Sequence, residues 1–465
     1  MTYPRTYPTT DGDGHCDEQD WNAMVNQWRG YSASGTFIQP HTYTISKTGS
    51  DYYVTNGHQT VYGGSGSTDA AAILTQLNTD CSHGDTLIIK DPITLTSGVT
   101  ITKALNISAL NCTKPNIIYD VAGADEDLLT LNITDVGYQF AQLENLNIDG
   151  ANTCRTGIIV ASVMVLYTRN LRLKRCTHHG MRWNADGYLW GNSIYIDVCY
   201  KEGLYLPNLN QIHVGDLYIM NCGAHTPADE CSSVYAASLD GWIGRIVCAG
   251  SGAAYSGPTL YGFYLKGCNV LKIGQVHIED TLKHGFIVGA NAGSTITNLD
   301  IGQLLIMNCA RDSTGTDIAP AVFNAGYINI GSIFENYSAA YLPRPYTAPL
   351  QAFGVVNLQI GQIYSTHTGV YFYRDTSANN GRVRVHGWPF KVALPFSGLG
   401  DTSTITHGMT IHTPNVITLT ATAPIPTILG YDTVGTATFK LRAHDAAGDA
   451  VVAGVSGSYT AEYVP

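Results

Sequence analysis

A spacing of 23 residues, repeated in the middle of the chain, constrains the fold more than any other feature. Three cysteines and three glycines keep it: Cys176, Cys199 and Cys222; Gly157, Gly180 and Gly203. A second series of glycines follows at intervals of 28 to 30 residues: Gly215, Gly244, Gly274, Gly302, Gly331 and Gly361. Self-similarity at such a period indicates a solenoid, in which each repeat buries its apolar side on its neighbours.

The residues between these markers indicate which solenoid it is. Short stretches such as "NLRLK", "SIYID" and "DLYIM" alternate apolar and polar residues, which is typical of strands, and no repeat holds a helix-length amphipathic pattern. Two or three strands in 23 to 30 residues favour a parallel β-helix over a leucine-rich or helical repeat.

The alternation also assigns faces, because neighbouring side chains of a strand point to opposite sides. The predicted inward residues are Leu171, Leu173, Ile194, Ile196, Leu217 and Ile219. The predicted outward residues are Arg172, Lys174, Tyr195, Asp197 and Tyr218. We interpret the cysteines as small apolar residues, stacked inside the coil or at a turn, rather than as redox groups.

Before the repeat, "STDAAAILTQLN" predicts a short helix from Asp69 and the spacing of Ala72, Ile73 and Leu77, and the strands "TLIIK" and "ITL" follow it. This run resembles the start of right-handed parallel β-helix proteins of the pectate-lyase-like superfamily, over roughly residues 50 to 390. The resemblance implies that the helix caps the open end of the coil. The calcium-binding Asp cluster of pectate lyases has no counterpart here, and we expect neither a metal nor a cofactor.

The C-terminal part lacks the repeat and is similar to the terminal modules of viral tailspikes and tail fibres. The matching residues are Ile405, His407 and Gly408 of an "I-x-H-G" hairpin, and Pro414, Ile417, Leu419 and Thr420 of a following strand. The resemblance implies a module for trimerisation or receptor contact. The predicted fold is therefore an all-β, right-handed parallel β-helix at 51–390, with an attachment or capping segment at 1–50 and a small antiparallel β module at 391–465.

Charge and hydropathy exclude several classes of partner. The formal net charge is −11 and no run of Lys or Arg occurs, so a nucleic-acid partner is not expected. No apolar run is long enough to span a membrane, and "MTYPRTYPTT" lacks the apolar segment of a signal peptide. Eleven cysteines without a CxxC pair indicate no structural zinc site. If the protein acts outside a cell, we expect it to leave by lysis, as part of a virion.

Stacked coils bring residues one period apart into columns, spaced about 4.8 Å. One such column holds His179, Glu202 and His225, and His284 joins it in a looser frame because it too precedes a glycine. Three interpretations remain open: a solvated turn, a general acid–base site, or a metal site.

The outward face of the strands offers a second candidate site. Its predicted columns are Arg172, Tyr195 and Tyr218; Lys174, Asp197 and Met220; Tyr167, Trp190 and His213. Rings and charges on a rigid face suit a polysaccharide groove, although an aromatic ladder can also serve only to stabilise the sheet. The candidate substrate-binding residues are Arg172, Lys174, Arg182, Trp190, Tyr195, Tyr205, Tyr218 and His225.

Glycoside hydrolysis requires two carboxyl groups that flank the bond. The candidate catalytic residues are Asp197 and Glu202 as the pair, with His179 beside them, and Asp186 and Asp216 lie on adjacent coils. A lyase would instead use His179 with a cation for the uronate, which Arg182 or Lys201 could supply.

Three functions follow for such a chain. The first is a tailspike-like protein of a virion tail, acting extracellularly, which recognises a host surface polysaccharide and cleaves it, by hydrolysis rather than elimination. The resemblance implies a homotrimer and contact with tail or baseplate proteins. The second is a non-enzymatic adhesin or receptor-binding spike. The third is a secreted polysaccharide lyase or hydrolase.

Overall fold

A computed structural model of the protein describes most of the chain after residue 39. The described residues are 40–57, 59–64, 66–121, 125–135, 140–223, 231–250, 260–289, 296–311, 320–324, 326–337, 350–352, 355–365, 372–374, 382–385, 391–399, 404–406, 416–421, 428–432, 438–444 and 455–462.

An antiparallel meander begins the described chain. Its strands are β1 (Thr42–Thr48), β2 (Asp51–Asn56) and β3 (Gln59–Gly63). Strand β1 also pairs in parallel with β4 (Thr86–Ile89), the first strand of the coil. Part of the predicted N-terminal segment is thus continuous with the coil, while the division of the chain at residues 50 and 390 stays a prediction.

Helix α1 (Ala70–Asp80) lies against the first coil, and the sequence predicted it. Asp69 caps the helix, since its Oδ1 accepts hydrogen bonds from the backbone N–H groups of Ala71 and Ala72. The buried face of the helix differs from the predicted one, because Ala72 is exposed whereas Leu74 and Leu77 are buried. The buried face packs towards the start of the coil, where an open solenoid end needs a cover.

Successive coils of parallel strands follow the helix. Four coils have three strands each: β4, β5 (Ile93–Leu95), β6 (Val99–Ile101), β7 (Asn106–Ala109), β8 (Ile117–Tyr119), β9 (Leu129–Asn132), β10 (Phe140–Glu144), β11 (Asn147–Asp149), β12 (Ile158–Ser162), β13 (Val165–Arg169), β14 (Leu171–Cys176) and β15 (Met181–Trp183). In later coils the first two strands merge: β16 (Tyr188–Cys199), β17 (Leu204–Leu206), β18 (Gln211–Met220), β19 (Ser232–Ala236), β20 (Asp240–Ala249), β21 (Tyr261–Leu265), β22 (Leu271–Glu279), β23 (Phe286–Val288), β24 (Leu299–Met307), β25 (Ala321–Phe323), β26 (Gly326–Asn336), β27 (Leu350–Ala352), β28 (Val355–Ser365), β29 (Phe372–Arg374) and β30 (Arg382–Val385).

Two sheets run along the coil. The short sheet consists of β6, β9, β12, β15, β17, β19, β21, β23, β25, β27 and β29. The long sheet contains the other strands from β1 to β30. The register confirms the 23-residue step: Leu171 pairs with Ile194, and Ile194 with Leu217. All six predicted inward residues are buried, and each apolar side chain contributes about 1.5–3 kcal/mol to stability.

Steric contact between coils explains both glycine series. A Cβ on Gly203 would lie 2.4 Å from Cγ2 of Ile219, and one on Gly180 would lie 2.3 Å from Cγ2 of Ile196. In the second series, a Cβ on Gly274 would lie 2.5 Å from the carbonyl oxygen of Gly244. Glycine is therefore required wherever one coil backs onto the next.

The cysteines of the 23-residue period lie inside the coil, as predicted. Cys154, Cys176, Cys199 and Cys222 are fully buried free thiols, and the Sγ atoms of Cys154 and Cys176 are 3.7 Å apart. Burial raises the pKa of the Cys199 thiol well above its usual value. The column therefore behaves as part of the apolar core.

The C-terminal strands form two small antiparallel sheets. One has the order β31 (Lys391–Leu399), β36 (Val455–Glu462) and β33 (Val416–Ala421). The other has the order β32 (Thr404–Thr406), β35 (Thr438–His444) and β34 (Ile428–Asp432). The structure is all-β, with a parallel β-helix followed by an antiparallel module, and this confirms the predicted fold. Of the predicted hairpin motif, His407, Gly408 and Pro414 lie outside the described residues.

Candidate functional site

The outer face of the short sheet carries a column of three tyrosines on consecutive coils: Tyr205, Tyr235 and Tyr264, here called the tyrosine ladder. The rings of Tyr205 and Tyr235 are stacked, with centroids 5.2 Å apart, and Tyr264 meets Tyr235 edge-on at 5.5 Å. All three side chains are half-buried. The ladder is a rigid, partly exposed aromatic strip along the coil axis.

Arg182 lies at the start of the ladder, one coil before Tyr205. Its guanidinium lies over the Tyr205 ring, 5.7 Å from the centroid, which is within cation–π range. Its Nε donates a hydrogen bond of 2.8 Å to Oδ1 of Asn184. Arg182 and Tyr205, each predicted to bind substrate, thus lie next to each other, and their binding role stays a prediction.

His179 and Glu202 form a buried pair beside the ladder. Nδ1 of His179 is 3.2 Å from Oε2 of Glu202, out of line for a hydrogen bond. Both side chains are about one-tenth exposed. The imidazole stacks on the Tyr205 ring, with centroids 5.0 Å apart. Because a buried carboxylate is costly without a partner, His179 is the group that makes Glu202 tolerable here.

Repeated backbone hydrogen bonds hold this pair in place. The N–H of Lys201 donates to the carbonyl of His178, and that of Gly180 donates to the carbonyl of Glu202. The N–H of Gly203 donates to the carbonyl of Ser233 on the next coil. The turn before each short-sheet strand therefore repeats from coil to coil, and it aligns Glu202 with His179.

The predicted column does not continue at the 23-residue spacing. The next coil is longer, so Leu204 pairs with Val234, and Ser232 takes the position beyond Glu202. The 23-residue spacing does not extend to this coil, and His225 lies outside the described residues. His284 belongs to the same column two coils further on, where it stacks on Tyr261 at 6.0 Å.

The predicted carboxylate pair is divided between the two sheets. Asp197 ends the outer face of β16 in the long sheet, where its Oδ1 accepts a 3.0 Å hydrogen bond from Asn221. Glu202 follows a turn and leads into β17 of the short sheet. Asp216 contacts Arg245 at 3.0 Å, and Asp186 is exposed. The two preferred carboxylates thus have separate partners, and Glu202 is the one that contacts His179, which stacks on the tyrosine ladder.

The register of the long sheet confirms the three predicted outer columns. Arg172 lies over Tyr195 at 5.8 Å, and the Tyr195 and Tyr218 rings are 6.4 Å apart. Trp190 meets His213 edge-on at 6.0 Å. Ligand binding by this face stays a prediction, as does the alternative that the rings only stabilise the sheet.

Lys174 has a structural partner in this sheet. Its Nζ lies 3.2 Å from the buried carboxylate of Asp149, which Arg175 also contacts. Burial alone would raise the pKa of Asp149, but hydrogen bonds from Arg175, from the Ala151 N–H and from Lys174 outweigh it, and the pKa is lowered. The predicted substrate-binding role of Lys174 therefore competes with a structural one.

Two residues of the ladder, Tyr235 and Tyr264, were missed from the sequence. Each is the central residue of a short strand, in "VYA" and "FYL", as Tyr205 is in "LYL". That shared pattern was the available signal. It was obscured because the interval grows from 23 residues to 30 and 29 in these coils.

In the part of the chain that the structure describes, no group of three or more His, Cys, Asp or Glu side chains is arranged to hold a metal ion. No helix there is both long enough and apolar enough to cross a membrane.

The sequence matches no protein-family model, and no curated protein matches it. Several solved structures match the chain at low sequence identity. The Dettilon tailspike protein (gp208) gives a TM-score of 0.37 at 9% identity, covering 86% of this chain and 92% of that chain. ORF18 of Geobacillus virus E2 gives 0.33 at 13%, covering 86% and 76%. The Acinetobacter baumannii phage AM24 tailspike protein gives 0.27 at 8%, covering 98% of each chain.

Proposed function

We propose that the protein recognises a polysaccharide of a host cell surface along the tyrosine ladder. One observation carries this proposal: three tyrosine rings on consecutive coils form a continuous, half-exposed strip. Because neighbouring rings cover one another's faces, the ladder offers a sugar its exposed ring edges for apolar contact and its hydroxyls for hydrogen bonds. Since the strands hold the rings about 4.8 Å apart along the axis, an extended glycan can contact several of them together.

The ladder is tested by removing its middle ring. Tyr235→Ala should weaken binding about thirtyfold, the loss expected for a central tyrosine anchor of roughly 2 kcal/mol. Binding is measured against capsular, secreted and cell-wall glycans. Tyr327→Ala is the matched control, because Tyr327 is half exposed on the other sheet. Equal losses in the two variants, or no loss in Tyr235→Ala, would contradict the proposal.

We further propose that the glycan is cleaved beside Glu202. The carboxylate lies next to a ring-stacked imidazole at the start of the ladder, so it can donate or accept a proton beside a bound sugar. A hydrolase requires a second carboxyl group, and a lyase requires a cation at the substrate carboxylate.

The cleavage proposal is tested by following chain length and ultraviolet absorbance of the products. Glu202→Gln should abolish shortening while binding persists. New absorbance would identify elimination, and shortening without it would identify hydrolysis. Asp197→Asn tests the predicted pair, since retained cleavage in this variant removes Asp197 from the reaction. Tight binding without any shortening would make the protein a recognition spike.

We infer that this glycan-binding role belongs to a virion spike that assembles as a homotrimer and joins tail or baseplate proteins. The resemblance of the C-terminal segment to terminal modules of tailspikes supports this assignment. Sedimentation should give three times the chain mass of 50.0 kDa. A monomer at all concentrations would contradict the trimer and leave the glycan-binding proposal intact.

A further inference from the structure

The tyrosine ladder has a cation at each end. Arg182 lies one coil before Tyr205, and Lys266 follows Tyr264 by two residues, directly after the end of β21. Lys266 is exposed. From Arg182 to Tyr264 the register counts three coil steps, which corresponds to about 14 Å along the axis. The two cations therefore bracket a strip as long as several sugar residues.

Most arginines of this region have a carboxylate partner, and Arg182 does not. Four of them contact an aspartate: Arg155 with Asp127, Arg175 with Asp149, Arg245 with Asp216, and Arg311 with Asp280. Arg182 instead donates Nε to the neutral amide of Asn184, and no carboxylate among the described residues contacts it. Its two Nη groups remain directed away from that hydrogen bond, in the fork that suits a carboxylate.

The neighbouring carboxylate does not cancel this charge. Glu202 is buried and in contact with His179, whose imidazole stacks on Tyr205. The chain as a whole carries a formal net charge of −11, so its acidic residues outnumber its basic ones. A cation without a carboxylate partner on this face stands out against that excess of negative charge. A cation of this kind is available to a ligand.

We propose that the ladder selects an acidic glycan, one whose sugar carboxylates, as in uronic acids, bind Arg182 and Lys266 while its sugar rings contact the exposed edges of the tyrosines. This inference rests on the proposed glycan-binding function and specifies its substrate class. Arg182 forms a bidentate contact with one carboxylate, and Lys266 acts as a point charge for another further along the chain.

The test uses defined polymers: polygalacturonate, alginate and hyaluronan, each beside its carboxyl-reduced form, and the acidic capsular polysaccharides of the binding panel. At least one acidic polymer should bind, and reduction of its carboxyl groups should weaken binding at least about tenfold. Binding of the acidic form should also weaken as NaCl is raised. Equal affinity for both forms, or binding of neutral glycans alone, would overturn the inference.

Variants separate this inference from the function on which it rests. Arg182→Gln should weaken binding of the acidic form about tenfold and leave the reduced form unchanged, with Arg182→Lys intermediate. Lys272→Gln is the matched control, because Lys272 is exposed on the outer face of the long sheet. If Tyr235→Ala weakens binding but Arg182→Gln does not, recognition stands and the acidic preference falls. If neither variant matters, both fall. Unchanged thermal unfolding excludes a folding defect.

Discussion

A strained valine in the turn beside the candidate site offers the sharpest test of the structure. Val198 has a φ of 60°, in the left-handed region, which is rare for a β-branched residue. The same position on other coils is also left-handed, at Arg175, Asn221, Asp280 and Asn308. The coil geometry imposes this conformation, and Val198 is the member least suited to it.

The perturbation is a reciprocal exchange along this column. Val198→Asn removes most of a penalty of roughly 1–2 kcal/mol, offset by some lost packing of a half-buried side chain, so we expect a gain of about 1 kcal/mol. Asn221→Val introduces the same penalty and deletes the 3.0 Å hydrogen bond from Asn221 to Asp197, worth about 1 kcal/mol, so we expect a loss of about 2–3 kcal/mol.

The assay is the rate of unfolding at a fixed high temperature, because a chain of this size is not expected to unfold as a reversible two-state system. A change of about 1 kcal/mol corresponds to roughly a fivefold change in rate if the turn forms after the transition state. Val198→Asn should therefore slow unfolding and Asn221→Val should accelerate it. Faster unfolding of Val198→Asn, or equal effects of both exchanges, would refute the argument from backbone strain.

Three further predictions concern the coil interior. Gly203→Ala should destabilise the protein by about 1–3 kcal/mol, because its Cβ would lie 2.4 Å from Ile219; wild-type thermal stability in this variant would contradict the steric argument. Asp149→Asn should cost about 3 kcal/mol at neutral pH. Since the folded-state pKa of Asp149 is lowered, its stabilisation is present above the unfolded pKa of about 3.9 and is lost as pH falls through the folded value, so the variant should show a shallower loss of stability in acid. The thiol of Cys199, whose pKa burial raises, should react with a thiol reagent only after unfolding, whereas the half-buried Cys112 can react in the native protein; rapid labelling of Cys199 itself in the native protein, located by peptide mapping, would contradict its burial.

Several features of the fold could be derived from the sequence because they repeat locally. The period of Cys176 and Cys199, the glycines that precede each short strand, and the alternation in strands such as "SIYID" all follow from one steric requirement. Each coil must present small or apolar groups to the next at fixed positions. The face of Arg172 and Tyr195 was predictable for the same reason.

The candidate site depends on coil length, which only the tertiary structure decides. Tyr235 lies 30 residues after Tyr205, so that Tyr235 rather than a residue 23 positions on stacks against Tyr205, and Ser232 takes the register position beyond Glu202. Asp197 and Glu202 are close in sequence, but the left-handed turn at Val198 sends them to different sheets. The hydrogen-bond register between stacked coils fixes the positions of the strands, whereas the segments between the strands vary in length. The alternation within each strand therefore determined which side chains face outward, and only the register between coils decided which of them meet.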